Sequence, residues 1–314
     1  MHLPILSELD SARNVLVAGA GGGFDIFNGL PLYFSLLNQG KNVYLANYTF
    51  SQIRSARRIT PNLVEVNRDS TSRTNYFPEK YLAEWLDSTY NSDTSIFCFD
   101  NGPGCQRLFE AYQILVDELS IDTVILADGG SDSLLTGDEN GLGTPVEDMT
   151  SVAAVHMLDN VENKILISLG FGVDRFHGVC HAQVLESMAA LMEENAFLGA
   201  FALSSDMPEV EMFKEASEFV FDRMPHNVSI VISSILSALE GKYGNIHATS
   251  RTFGNELWIN PLMTILWCFS LCEVADRVIY LPQLKKTETL NQVAWEILKF
   301  RFGRKKKSWF PMPI

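Results

Sequence analysis

The richest group of potentially reactive side chains lies in a turn that follows a short apolar segment. Residues 124–127 are apolar, as in a buried strand, and residues 128–139 then contain adjacent glycines and four carboxylates. Asp128 and Asp132 lie four residues apart, and carboxylates so placed can bind Mg²⁺ or Ca²⁺ or accept hydrogen bonds from vicinal sugar hydroxyls. We therefore predict that both are metal ligands. The neighbouring residues predicted to contact the ligand are Gly129, Gly130 and Ser131.

A second candidate for chemistry lies in residues 172–181. We predict that Asp174 or His177 activates water, with Asp128 as a further catalytic residue, because a carboxylate or an imidazole in a cleft can accept a proton. His177 and His181 are four residues apart, so on a helix they would share a face and could bind a transition metal. The sequence lacks the Glu that follows the first histidine in the His-Glu-x-x-His motif. The alternative to a metal site is that one histidine packs or caps.

A glycine-rich turn at residues 19–25 follows the first apolar segment, residues 14–18. Glycines at the start of a helix allow a ligand to approach the backbone closely. The turn departs from the dinucleotide-binding fingerprint, because Phe24 stands at its third glycine and Asn47 stands where an acid would bind the ribose. These departures argue against NAD as the ligand. The alternative to a ligand-binding turn is a tight turn that needs glycine for steric reasons alone. The candidate ligand-binding residues are Gly21, Gly22, Gly23, Asp25 and Asn47.

These turns must be positioned by alternating strands and helices. That alternation predicts a Rossmann-like α/β core over residues 1–224, with a mostly parallel sheet flanked by helices. Residues 225–314 are predicted to form a largely helical C-terminal extension packed on the core, because no linker rich in Pro, Gly or Ser precedes them.

Local patterns set the bounds of several helices. Pro145 is predicted to begin a helix, with Thr144 as the N-cap and Glu147 at capping-box spacing. The helices predicted in the extension span residues 229–239, 261–275 and 288–300.

Composition narrows the class of protein. The net charge of −14 would repel phosphate backbones and argues against nucleic acid as a partner. The five cysteines are scattered without a Cys-x-x-Cys pair, which indicates reduced thiols and a cytoplasmic location. We expect neither a signal peptide nor a transmembrane segment. Residues 301–310 mix basic and aromatic side chains, which favours a solvated tail over contact with an anionic membrane or an acidic neighbouring subunit.

Four segments together resemble a known family. They are residues 21–25, 128–139, 142–149 and 172–174. They resemble the domain-of-unknown-function family 1152 (DUF1152), over about residues 14–203 of this chain. The family has no established activity, so the resemblance implies only which residues lie in its acidic signature turns. Those residues are Asp25, Asp128, Asp132, Glu147, Asp148 and Asp174.

The glycine-and-acid turns at one predicted sheet edge favour an intracellular α/β enzyme. It would bind a nucleotide, nucleoside or phosphosugar and hydrolyse a glycosidic or phosphoester bond with a divalent cation. The alternative is a non-enzymatic module that binds a metabolite or an ion and assembles into a homo-oligomer through its helical C-terminal third. A third hypothesis, nicotinamide-dependent oxidoreduction, needs the fingerprint that the first turn lacks.

Overall fold

The computed structural model describes residues 3–100 and 102–312, and within them the chain forms thirteen strands and twelve α-helices. The strands are β1 (Asn14–Gly19), β2 (Asn42–Tyr48), β3 (Ile53–Ser55), β4 (Arg57–Thr60), β5 (Leu63–Val66), β6 (Thr71–Ser72), β7 (Ile96–Phe99), β8 (Thr123–Gly129), β9 (Asn163–Leu169), β10 (Phe197–Ala202), β11 (Gly244–Asn245), β12 (Trp258–Ile259) and β13 (Ile265–Ser270). The helices are α1 (Pro4–Ser11), α2 (Asp25–Asn28), α3 (Leu30–Asn38), α4 (Pro78–Tyr90), α5 (Cys105–Leu119), α6 (Pro145–His156), α7 (His181–Glu193), α8 (Pro208–Arg223), α9 (Ile230–Leu239), α10 (Leu271–Arg277), α11 (Leu281–Leu284) and α12 (Leu290–Arg301).

Nine of the strands in the described residues form one sheet in the order β10-β13-β9-β8-β1-β2-β7-β5-β4. The five central strands, β9, β8, β1, β2 and β7, are parallel. Strand β1 lies between β2 and β8, with Ala18 opposite Ala46 on one side and Leu126 on the other. This mostly parallel sheet confirms the predicted Rossmann-like α/β fold.

The order of the parallel strands places a crevice at the end of β1. From β1 the chain proceeds through β2 to β7 on one side, then returns to add β8 and β9 on the other side. The connections that leave β1 and β8 therefore run in opposite directions along the sheet. In open α/β sheets, this topological switch point is where ligands bind, beyond the carboxyl ends of the strands.

The central strands are apolar because both faces of the sheet are covered. In β1, Leu16 and Ala18 join one apolar core, while Val15 and Val17 join another core on the opposite face. Side chains alternate across a strand, so a strand buried on both faces needs a continuous apolar run. Strand β8 follows the same rule, since its first six residues are buried. Packing on both faces therefore fixes the position at which each strand ends and its turn begins.

The predicted helix over residues 261–275 is wrong for most of its length. Residues 265–270 instead form β13, which pairs antiparallel with both β9 and β10. Periodicity alone does not distinguish a buried strand from a buried helix in a short apolar run. Helices α9 and α12 lie close to their predicted positions. The C-terminal third therefore adds a strand to the main sheet, and the division at residue 224 stays a prediction.

Most side chains of the segment after α12 are exposed, as in the expected solvated tail, while parts of its main chain contact the core. The Lys307 backbone N–H donates to the Asp138 carbonyl at 2.7 Å, and the Gln183 side chain donates to the Ser308 carbonyl at 3.0 Å. Arg301 also donates to main-chain carbonyls in the loop before α6. The segment therefore contacts both the loop after β8 and the first turn of α7.

Among the described residues, no helix is both long enough and apolar enough to cross a bilayer.

Candidate functional site

Three carboxylates converge at the switch point. Asp25 begins α2 directly after the glycine-rich turn, Asp128 lies near the end of β8, and Asp148 lies in the first turn of α6. One carboxylate oxygen from each residue can be chosen so that all three lie within 4.8 Å of one another. Asp128 and Asp148 are 1% and 2% exposed. We name these three residues the acidic triad.

The hydrogen bonds of the acidic triad are incomplete. The Gly21 N–H donates to Asp25 Oδ2 at 2.6 Å, and the Ser133 hydroxyl donates to Asp128 Oδ2. Asp148 Oδ2 is buried and has no donor among the described residues. A buried acceptor without a partner is costly, and a bound ion is one of the few arrangements that removes the cost.

Gly21 lets two members of the triad approach the main chain. A methyl group on this residue would overlap the Asp148 carboxylate and lie 2.6 Å from Asp25 Oδ2. On the opposite side, a methyl group on Gly129 would lie 2.7 Å from Asp25 Oδ1. Glycine is therefore required at both positions by close approach, because any larger residue would displace the carboxylates.

Two further buried acids hold the surrounding loops in place. Asp132 Oδ2 accepts from the Thr144 N–H at 2.7 Å and from the Thr144 hydroxyl at 3.2 Å. Asp174 Oδ2 accepts from the Ser131 N–H at 2.6 Å. The predicted capping box at Thr144 and Glu147 is wrong, since the Thr144 side chain makes no cap bond and binds Asp132 instead. Asp132 therefore ties the start of α6 to the turn after β8.

Burial makes ionisation of this cluster unfavourable. It raises the pKa of Asp25 to about 7 and raises the pKa of Asp132. The pKa values of Asp128, Asp148 and Asp174 rise well above their ordinary range, first through burial and then through the other carboxylates. A divalent cation would reverse both effects, because it supplies the positive charge that these side chains lack.

The triad lines a cavity of about 280 Å³ that also contains Glu147, His177 and Val231. A neighbouring groove of about 560 Å³ shares His177 and Val231 with it. The groove adds Tyr76, Arg251 and Asn227. Phe50 lies on the boundary of both. The acidic cavity therefore opens beside a less acidic space large enough for the rest of a small molecule.

The two histidines have separate environments. His177 ends a 3₁₀ turn, Val173–His177, and Gly178 follows with a φ of 82°. Helix α7 begins only at His181, whose Nε2 lies 3.0 Å from the Gly172 carbonyl oxygen. The shared helical face that a His-x-x-x-His metal site requires is therefore not formed. His177 faces the cavity, and His181 packs beside the turn.

Asn47 lies behind the glycine-rich turn, and it does not line either cavity. Its side chain is fully buried, and Nδ2 donates to the Gly23 carbonyl at 2.8 Å and to Glu79 Oε1 at 2.8 Å. The Ser51 hydroxyl donates to the other oxygen of Glu79 at 3.2 Å. Asn47 and Glu79 therefore position the turn, and no motif in the sequence indicates this role for Glu79.

Most of the predicted site residues converge. The smaller cavity is lined by Gly21, Gly22, Asp25, Asp128, Gly129, Asp132, Asp174 and His177. Gly23 lines the larger groove, while Ser131 and Gly130 lie against Asp174. Sequence reasoning did not place Asp148, Glu147, Thr144, Phe50, Tyr76, Val231 or Arg251 in the site. An acid in the first turn of a helix normally complements the helix dipole, so Asp148 resembled an ordinary helix-start residue.

Comparison with known proteins identifies a family whose function is unknown. The family model described as "Protein of unknown function (DUF1152)" matches residues 16–302, and the chain belongs to this family. No curated protein and no solved structure matches the chain. The match covers all members of the acidic triad and the residues that line both cavities.

Proposed function

We propose that this protein binds a divalent cation through the acidic triad and uses it to hydrolyse a phosphorylated small molecule, a nucleotide or a phosphosugar. The observation that carries the proposal is the buried, unpartnered Asp148 Oδ2 facing two more carboxylates at the switch point. The triad offers only oxygen ligands, which favours hard cations such as Mg²⁺, Mn²⁺ or Ca²⁺ over zinc or copper.

The charge of the cavity favours a phosphate bound through the cation. Four buried carboxylates and the half-buried Asp25 would repel an anion by themselves, whereas Mg²⁺ commonly joins one or two carboxylates to substrate phosphates. Arg251 in the adjoining groove can pair with a second anionic group, and Phe50 and Tyr76 offer aromatic rings to a base or a sugar. The two spaces together therefore suit a molecule with a phosphate at one end.

The proposed reaction needs one proton acceptor near the phosphate. A cation held by Asp25, Asp128 and Asp148 would polarise the phosphoryl oxygens and lower the pKa of a bound water. His177 lines both spaces and accepts the proton of the attacking water as its oxygen bonds to phosphorus. The ester P–O bond breaks, and the imidazolium returns the proton to the leaving oxygen.

A thermal-unfolding panel followed by assays of product release tests the proposal. Mg²⁺, Mn²⁺ and Ca²⁺ are added singly, then with nucleotides, sugar phosphates or nucleosides. A ligand at a hundredfold excess over its dissociation constant stabilises the native state by about 2.7 kcal/mol. We expect a shift with the cation, a larger one with cation and nucleotide, and cation-dependent phosphate release.

Variants separate a specific site from general charge effects. Asp128→Asn should abolish turnover and the cation-induced shift, and Gly21→Ala should weaken both by displacing two carboxylates. Asp138→Asn is the matched control, because Asp138 lies in the same loop, is 41% exposed at its side chain and pairs with Lys307. If ribose is released from nucleosides, the bond that the protein hydrolyses is glycosidic and not a phosphoester. Binding without any product would mean that the protein is a binding module and not an enzyme. Equal cation-induced thermal shifts in wild type and Asp128→Asn would refute the acidic triad as the cation site.

A further inference from the structure

Helix α12 and the residue after it present three large apolar side chains to solvent. Trp295 and Leu298 are each 65% exposed, and Phe302 is 89% exposed. Their spacing of three and four residues places them on one face, while Val293 and Ile297 on the other face join the core. Single exposed apolar side chains are ordinary on protein surfaces, but three on one helical face mark a contact surface.

Cationic residues are concentrated in the sequence around and after this face. Residues 295–307 contain six cationic side chains and one carboxylate, although the whole chain carries a net charge of −14. Lys305 and Lys306 are exposed and have no carboxylate partner within residues 3–100 and 102–312. We name as the basic apolar face the side chains of Trp295, Leu298, Lys299, Phe302, Arg304, Lys305 and Lys306.

The basic apolar face is held rigidly by its neighbours. The Arg301 guanidinium donates to the carbonyls of Gly137, Glu139 and Asn140 at 3.0, 3.1 and 3.0 Å. The Lys307 ammonium lies 3.4 Å from a carboxylate oxygen of Asp138. These contacts hold both ends of residues 301–307, which reduces the main-chain ordering that binding a partner would require.

Charge distinguishes the candidate partners. A two-fold dimer through this face would place the same cationic surface against itself, which is repulsive. Contact with nucleic acid would not be stabilised by burial of Leu298. A bound nucleic acid would also extend toward the acidic remainder of the chain, which repels it. We propose that the basic apolar face docks on a membrane surface rich in anionic phospholipid. Apolar side chains enter the headgroup boundary, lysine stems reach the lipid phosphates, and the acidic remainder faces away.

Vesicle co-sedimentation tests this proposal without reference to the acidic triad. The probes are phosphatidylcholine vesicles with and without phosphatidylserine, at low and high salt. The apolar variant is Trp295→Ser with Leu298→Ser and Phe302→Ser, and the charge variant carries Gln at Lys299, Arg304, Lys305 and Lys306. The control is Tyr243→Ser with Phe253→Ser, since these side chains are 67% and 66% exposed elsewhere.

We expect salt-sensitive binding to phosphatidylserine vesicles that falls at least tenfold in either variant. The charge variant removes four cations near the anionic surface, and the apolar variant removes the side chains that enter the headgroup boundary. The control should bind as wild type does, and circular dichroism should report the same fold in all proteins. Three results would overturn the proposal: no binding at low salt, binding that is equal in all proteins, or equal binding to vesicles without phosphatidylserine. A dimer in light scattering that the apolar variant dissociates would make the partner a second copy. Tighter binding to an oligonucleotide would make it nucleic acid.

Discussion

Glu139 and Asp148 are both buried acids in one stretch of chain, yet their surroundings differ. Glu139 is 1% exposed and accepts from the Thr136 N–H and hydroxyl at 2.9 Å and from the Gly137 N–H at 2.8 Å. Asp148 is 2% exposed and leaves Oδ2 without a donor beside two other carboxylates. Burial alone therefore does not mark a functional acid. Glu139 finds its donors within its own turn, whereas Asp148 Oδ2 has no donor among the described residues.

The largest expected effect is on cation binding in Asp148→Asn. Loss of an outer partner of a metal ligand costs about 10–100-fold in affinity, so loss of a ligand should cost more than 100-fold. Calorimetric titration with Mn²⁺ measures the affinity. Glu139→Gln is the matched control and should bind as wild type does. Equal losses in both variants would remove the distinction between the two acids.

The acidic triad should make the stability of the protein depend on pH. Because the pKa of Asp25 is raised to about 7 in the folded state, its proton is retained there after the unfolded chain has lost it. Without a cation, the stability from this group is complete below the unfolded value of about 3.9 and is lost as the pH rises through the folded value. Asp128 and Asp148 act in the same direction.

Urea unfolding at several pH values measures this loss. We expect added Mg²⁺ to restore stability at the higher pH values, and Asp148→Asn to reduce the slope without cation. Stability that rises with pH in the absence of cation would contradict the account.

A smaller effect is expected on folding in Glu139→Ala. The variant leaves the Thr136 N–H and the buried Gly137 N–H without their acceptor, while the Thr136 hydroxyl keeps its bond to Asp138, and the loss should cost about 1–3 kcal/mol. Urea unfolding measures this loss, and the cation-induced shift should persist. Unchanged stability would show that the three hydrogen bonds of Glu139 do not support the turn.

The smallest effect is expected in Thr144→Val. The hydroxyl bond to Asp132 at 3.2 Å is lost while the N–H bond at 2.7 Å remains, so stability should fall by about 0.5–1.5 kcal/mol. Thermal unfolding measures the change, with Thr89→Val on the surface of α4 as the comparison. A fall larger than that of Glu139→Ala would mean that Asp132 depends on this hydroxyl more than the structure indicates.

The sequence identifies the parts of the site that lie at strand ends. Asp128 directly follows an apolar run, and Asp25 follows another after the glycine-rich turn. Parallel strands bring such turns to one edge, so their proximity was predictable. Asp148 belongs to a helix, and only the packing of α6 against the sheet places it in the cavity. Strand β13 has an apolar pattern that fits a helix equally well. The inward orientation of Asn47 depends on Glu79, which is distant in sequence and has no motif.

Diffraction from crystals grown with Mn²⁺ tests the central claim most directly, because anomalous scattering locates the ion without assumptions about its ligands. The account predicts one strong peak between the carboxylates of Asp25, Asp128 and Asp148, with Asp148 Oδ2 or its partner oxygen in contact with the ion. The peak should disappear in Asp148→Asn and remain in Glu139→Gln. A peak only at other carboxylates, or none at saturating Mn²⁺, would contradict the assignment of the acidic triad as a cation site.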